Sequence, residues 1–156
     1  MIAYPERTDV EWLAVDRDGR VGVFTTAGSG PIPTVYLDSE GILEQVWDAV
    51  RGLPEVCDHD LLVALPRPDD FISFARRGFF SYDWADVQGA GRHLGRRYEL
   101  QARPLAPVTV DSVRWPSPLG EVLTHVRSAA LDFRDVTVDV TAAFGCASEP
   151  RRTPSR

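Results

Sequence analysis

Lysine is absent from this 156-residue chain, so all 17 of its basic residues are arginine. Against them stand 23 acidic residues, giving a formal net charge of −6. We read the missing lysine as the codon bias of a GC-rich bacterial genome. The acidic balance argues against nucleic acid as a partner, because affinity for a phosphate backbone comes largely from cations that displace its counterions. It favours another protein, a basic one, since complementary charge speeds encounter and suppresses wrong pairings.

Cysteine is scarce, with only Cys57 and Cys146. Two are too few for a disulfide framework. A domain of this length buries roughly 68–70% of its unfolded surface and folds without staples. Long apolar runs are also missing. None approaches the roughly 18 residues of a membrane span, and Met1-Ile2-Ala3-Tyr4-Pro5-Glu6-Arg7 holds no apolar stretch of the signal-peptide kind. The expectation is a cytoplasmic protein with no membrane contact. The remaining composition, 44% hydrophobic and 26% charged, is ordinary for a globular domain.

The clearest local signal is a hairpin, in which Glu11–Val15 and Val21–Thr26 flank Asp16-Arg17-Asp18-Gly19. With Asp18-Gly19 as a two-residue turn, Leu13 pairs with Phe24 and Ala14 with Val23, and both faces are apolar enough to be covered. Residues 27–33, Ala-Gly-Ser-Gly-Pro-Ile-Pro, read as irregular. A short extended piece over Thr34–Leu37 leads to a helix capped by Asp38 or Ser39. Its stripe is Ile42, Leu43, Val46, Trp47 and Val50, and Gly52 with Pro54 ends it. Leu61–Leu65 reads as a buried strand. Asp69 or Asp70 then caps a short helix through Phe71, Phe74 and Ala75. A second hairpin joins Phe79–Trp84 to Arg96–Ala102 across a glycine-rich loop. Val108–Val110 is extended, Ser117 caps a helix with Pro118 at its first position, and Val136–Val140 alternates like an edge strand. Together these predict a single α+β domain over residues 1–146, with a mostly antiparallel sheet of about six strands and three helices packed on it. Residues 147–156 are expected to be a disordered tail.

Few residues point to chemistry. Cys57-Asp58-His59-Asp60 gathers three ligand types, but zinc needs about four ligands in spaced pairs; His93 and His125 stand alone, so no metal and no cofactor are expected. Gly28-Ser29-Gly30 follows a strand as a phosphate turn would, yet it lacks a third glycine, a Gly-Lys-Ser/Thr and a helix directly after it. Residues 77–84, Arg-Gly-Phe-Phe-Ser-Tyr-Asp-Trp, loosely match an RNA-recognition octamer, but Phe80, Tyr82 and Trp84 share the wrong face for stacking. Arg92, Arg96 and Arg97, with Arg76 and Arg77, make a basic cluster suited to carboxylate or phosphate. The aspartate pairs Asp58/Asp60, Asp69/Asp70, Asp83/Asp86 and Asp132/Asp135 fall where caps and turns place aspartate, and nothing in the sequence buries them.

The stretch from Trp12 to Pro33, with Trp-Leu-Ala-Val-Asp, a turn, and Val-Gly-Val-Phe-Thr-Thr-Ala-Gly-Ser-Gly-Pro-Ile-Pro, resembles small bacterial immunity-type proteins that neutralise toxins. Gly-Phe-Phe-Ser-Tyr-Asp-Trp at 78–84 and the segment Tyr98–Pro104 extend the likeness to about half the chain. The resemblance implies protein binding and carries over no catalytic residue. The expectation is therefore a non-enzymatic interaction module, an immunity-like inhibitor of a basic toxin, with Gly28, Ser29, Gly30, Trp84, Arg92, Arg96 and Arg97 on its binding surfaces. The alternative is a small-molecule binder or enzyme that holds an anionic substrate on the arginine cluster, with His93 or His59 as base. A homo-oligomer joined through the Val136–Val140 strand is a third expectation.

Overall fold

The computed structural model describes residues 1–64, 67–85 and 97–148. Glu11–Val15 (β1) and Val21–Thr25 (β2) form the expected hairpin, but one residue out of register: Trp12 pairs with Phe24 and Leu13 with Val23. Asp16 is the cause. Its Oδ1 accepts from the backbone N–H groups of Asp18 (3.0 Å) and Arg20 (2.9 Å). Arg17-Asp18-Gly19 thus become a three-residue loop closed by Gly19 at φ 79°, a left-handed conformation that glycine takes without strain.

The chain continues through Ile32–Pro33 (β3), a 3₁₀ turn over Thr34–Leu37, Ile42–Arg51 (α1), His59–Leu61 (β4), Asp69–Arg76 (α2), Phe80–Ala85 (β5) and Arg97–Pro104 (β6). A 3₁₀ turn at Val110–Ser112, Leu119–His125 (α3), Thr137–Val138 (β7), Val140–Ala143 (α4) and Cys146–Ala147 (β8) complete it. The architecture is α+β. The main sheet runs β1-β2-β5-β6-β4, with β7 also on β6, and β3 pairs with β8 separately. Among the described strands only β2–β5 is parallel, so the sheet is mostly antiparallel.

Both faces of β1 and β2 are buried. On one face an aromatic slab fills the core. Phe24 stacks on Trp12 (centroids 4.4 Å apart) and on Tyr82 (5.0 Å), and meets the edges of Tyr98 (5.1 Å) and Phe133 (5.6 Å). The polar tips of this slab are satisfied: Trp12 Nε1 donates to the Tyr98 hydroxyl (3.2 Å), and Tyr98 donates to the Pro31 carbonyl (2.9 Å). The helices α1 and α2 cover the other face, where Ile42, Val46, Val50, Phe74 and Ala75 are buried. The outer edge of β1 is closed as well. The Tyr36 hydroxyl bonds both the N–H and the carbonyl of Leu13, and Val15 pairs with Val126 and Ser128, which removes a template for edge-to-edge association.

Several sequence expectations are corrected. Thr34–Leu37 is a 3₁₀ turn, not an extended piece, and α1 begins at a left-handed Gly41 (φ 86°) with no side-chain cap from Asp38 or Ser39. Trp47 leaves the expected apolar stripe and is 49% exposed, because β1 ends the sheet on that side and offers nothing to cover it. Ile32–Pro33, within the segment read as irregular, pairs with β8. The strand expected at Leu61–Leu65 is observed at His59–Leu61 and is not buried, Leu65 lying outside the described residues; Leu61 and Leu62 are exposed because β4 is an edge strand. Ser117 does not cap α3. Gln45 of α1 does so from across the fold, its Oε1 accepting from the Leu119 N–H (2.9 Å). Of Val136–Val140 only Thr137–Val138 is strand, and Val140 starts α4. Ala147, assigned to the tail, lies in β8, while residues 149–156 lie outside the described residues. No helix among the described residues is long and apolar enough to cross a membrane.

Candidate functional site

The pairing registers create a feature no single segment shows. Glu11 lies opposite Thr25, Thr25 opposite Asp83, and Asp83 opposite Glu99. Directly opposed residues point to the same face, so three carboxylates and a threonine form one row across β1, β2, β5 and β6. The row ends the face that carries α1 and α2. Arg51, the last residue of α1, grips Glu11 bidentately, with Nη1–Oε2 at 2.7 Å and Nη2–Oε1 at 2.8 Å. Its guanidinium carbon lies 3.1 Å from the Trp47 ring centroid and 5.3 Å from that of Phe74, a cation–π arrangement that fixes the fork.

Beside Glu11 a groove of about 380 Å³ opens between α1 and the chain entering β1, lined by Asp9, Val10, Glu11, Leu43, Glu44, Trp47 and Asp48. Val10, Leu43 and Trp47 make its apolar wall and the carboxylates its rim. Glu44 and Asp48 stand four apart on α1, a like-charge spacing that mildly destabilises a helix, and neither carboxylate has an ion-pair or hydrogen-bond partner among the described residues.

The carboxylates are less solvated than the sequence suggested. Asp16 is fully buried. Asp83 is half-buried; burial, reinforced by Asp9 and Glu99, raises its pKa from 3.8 to about 6. Burial also raises the Asp9 carboxyl, with Asp70 adding to the effect, although the Ala27 N–H donates to it (2.9 Å). At Asp132 the opposite holds. The Arg134 guanidinium holds that carboxyl well below the usual range.

The Asp83 shift has a testable sign. A carboxyl whose folded pKa lies above its unfolded one keeps its proton longer in the folded state, so stability falls as pH rises from about 4 to about 6. Two pKa units correspond to at most about 3 kcal/mol, and solvent screening at a half-buried site leaves about 1–2 kcal/mol. Asp83→Asn should therefore be about 1–2 kcal/mol more stable than the parent at pH 8, with the gain gone near pH 4. Urea unfolding at both values checks this; equal stabilities at pH 8 would refute the shift.

No protein-family model, curated protein or solved structure matches this chain.

Of the residues singled out from sequence, the fold brings Gly30, Trp84 and Tyr98 together. A Cβ on Gly30 would lie 2.5 Å from the Tyr98 hydroxyl and 3.0 Å from Trp84 Cβ, so this glycine has a packing role. Gly28 is buried at φ 82° against the Arg7 backbone, and Ser29 is partly buried. Trp84 is partly buried, edge-on to Tyr98 at 5.1 Å. Arg97 opens β6 opposite Ala85, exposed, and close enough to Asp139 to help lower that carboxyl. Arg92, Arg96 and His93 lie outside the described residues. Cys57 and His59 engage separate partners: the thiol turns to the Ala75 carbonyl (3.4 Å), while His59 Nδ1 accepts from Arg76 (3.3 Å). Both cysteines are free, and burial pushes the Cys146 thiol up to about 12. Among the described residues no group of three His, Cys, Asp or Glu is placed to hold a metal ion. Sequence reasoning missed Glu11, Thr25, Arg51, Trp47 and Asp9. The Glu44/Asp48 pair beside Trp47 was the one local signal available.

Proposed function

We propose that the chain is a non-enzymatic protein-interaction module that receives a basic partner, in the manner of an immunity protein neutralising a basic toxin. The observation that supports this reading best is the α1–β1 groove, where an exposed tryptophan and apolar wall are rimmed by carboxylates, two of which, Glu44 and Asp48, have no ion-pair partner among the described residues. Tryptophan anchors dominate interface energetics, and desolvating a basic side chain against unpaired acids gives specificity and fast encounter. The overall charge of −6 acts in the same direction. Arg51 stacked on Trp47 and forked to Glu11 shows within the molecule how an arginine engages such a surface.

The test is a binding series with the partner captured from the native host. Trp47→Ala, and Glu44→Lys combined with Asp48→Lys, should each weaken that partner by about thirtyfold or more with little change in unfolding midpoint. Glu121→Lys, on α3, should leave affinity intact. A partner that binds all four proteins equally would remove the groove from the interface.

A further inference from the structure

Among the described residues two buried side-chain oxygens have no hydrogen-bond partner, Thr25 Oγ1 and Ser81 Oγ, and both residues lie on the sheet face that carries Asp83. Thr25 is the cross-strand partner of Asp83, and Ser81 precedes it by two residues on β5. Side chains two apart on a strand share a face, so all three emerge together. Thr25 is 8% exposed and Ser81 fully buried. Orphaned buried hydroxyls are rare enough to demand a cause.

Among the described residues the charges acting on Asp83 are of one sign; Arg97, two residues before Glu99 on β6 and on the same face, acts on Asp139 instead. Glu99 comes from β6 and Asp9 from the segment before β1, with Asp70 of α2 close to Asp9. Glu11 of β1 is already neutralised by Arg51 of α1, whose two terminal nitrogens it occupies. Among the described residues no cation pairs with Asp83. A half-buried anion, like-charged neighbours and spare lone pairs together lack one thing, a positively charged hydrogen-bond donor.

We propose that this corner of the sheet is a receptor for one organic cation, a guanidinium or primary ammonium group, held by the Asp83 carboxylate with the Thr25 hydroxyl oxygen as second acceptor. A metal ion suits it poorly, since no triad of ligating side chains is in place. An organic cation brings several N–H donors and needs only one carboxylate and a neutral acceptor. The site uses none of Trp47, Glu44 or Asp48, so it stands or falls separately from the groove.

The same headgroup could arrive on a free small molecule or on a partner's side chain, and two probes separate these sources. Butylguanidinium and a blocked Gly-Arg-Gly peptide are titrated into the whole chain, followed by amide chemical shifts and calorimetry. Saturable shifts centred on Thr25 and Asp83 are expected. Asp83→Asn should weaken binding at least about tenfold, Thr25→Val about threefold, and Trp47→Ala should change nothing. Affinity should rise from pH 5 to pH 8 as Asp83 ionises. Equal affinity for both probes assigns a free cation, and a clear preference for the peptide assigns a partner's side chain. Asp83→Asn removes a charge the fold does not require; should it misfold, Thr25→Val and the shift map decide. Absence of saturation at about 10 mM of either probe, or unchanged affinity in Asp83→Asn, overturns the proposal. So does binding seen only after Arg92→Ala with Arg96→Ala, which would give the site to the chain's own arginines.

Discussion

Asp16→Ala is expected to cost about 3–5 kcal/mol, the range for removing one member of a buried charged network. The carboxylate is fully buried and does four jobs. Oδ1 takes the Asp18 and Arg20 amides and thereby sets the hairpin turn. Oδ2 takes Arg20 Nε (3.0 Å) and, from far along the chain, the Phe133 amide (2.9 Å). Alanine would leave the buried Phe133 amide unpaired and take one carboxylate from the largely buried Arg20 guanidinium, which keeps Asp18 and Asp132, and each unmade bond costs its desolvation. Because the whole domain rests on a margin of about 5–15 kcal/mol, the variant should unfold at a markedly lower urea concentration. Asp16→Asn keeps one acceptor oxygen and should lose roughly half as much. If the alanine variant unfolds within about 1 kcal/mol of the parent, the turn is held by something other than this carboxylate.

Phe24→Ala should be of similar size, about 3–5 kcal/mol. Its ring is the centre of the aromatic slab, stacked on two neighbours and edge-on to two more. Those four rings are held from other elements and cannot collapse onto the space, so a cavity term adds to the lost transfer energy. The position has an internal control. A Cβ on Gly22 would come within 2.9 Å of the Phe24 ring and 3.1 Å of Phe133. Gly22→Ala should therefore be destabilising alone and much less so, or stabilising, beside Phe24→Ala. A double-mutant cycle measures that coupling, expected at about 1–2 kcal/mol; additive losses would show that the two positions do not share the space.

The α+β class, the first hairpin, the α1 span and the β5–β6 pairing were legible because turn residues and apolar periodicity are local. The hairpin register was misread because Asp-Gly alone suggests a two-residue turn, whereas the Asp16 side chain, answering to Phe133, selects a longer one. Trp47 and Leu61 looked like core because their spacing is right; only the sheet's strand order, with β1 and β4 at its ends, shows why both are left exposed. Glycines 28 and 30 read as a surface turn because the rings and backbone they accommodate, Tyr98, Trp84 and Arg7, are distant in sequence. The carboxylate row was invisible for the same reason. Glu11, Thr25, Asp83 and Glu99 become neighbours only through two hairpins and one parallel pairing, and burial, which raises Asp83, follows from that pairing.

The parallel contact between β2 and β5 has a consequence for biosynthesis. Thr25 emerges from the ribosome well before Phe80, the first residue of the strand that must lie beside it. At about 5–20 residues per second that interval lasts roughly three to eleven seconds. Throughout it the N-terminal hairpin exposes the β2 side, the end of the β1 side that Val126 and Ser128 later close, and two greasy surfaces. A nascent chain in that condition is a natural client for a holding chaperone, and slow translation through the intervening segment would lengthen its exposure.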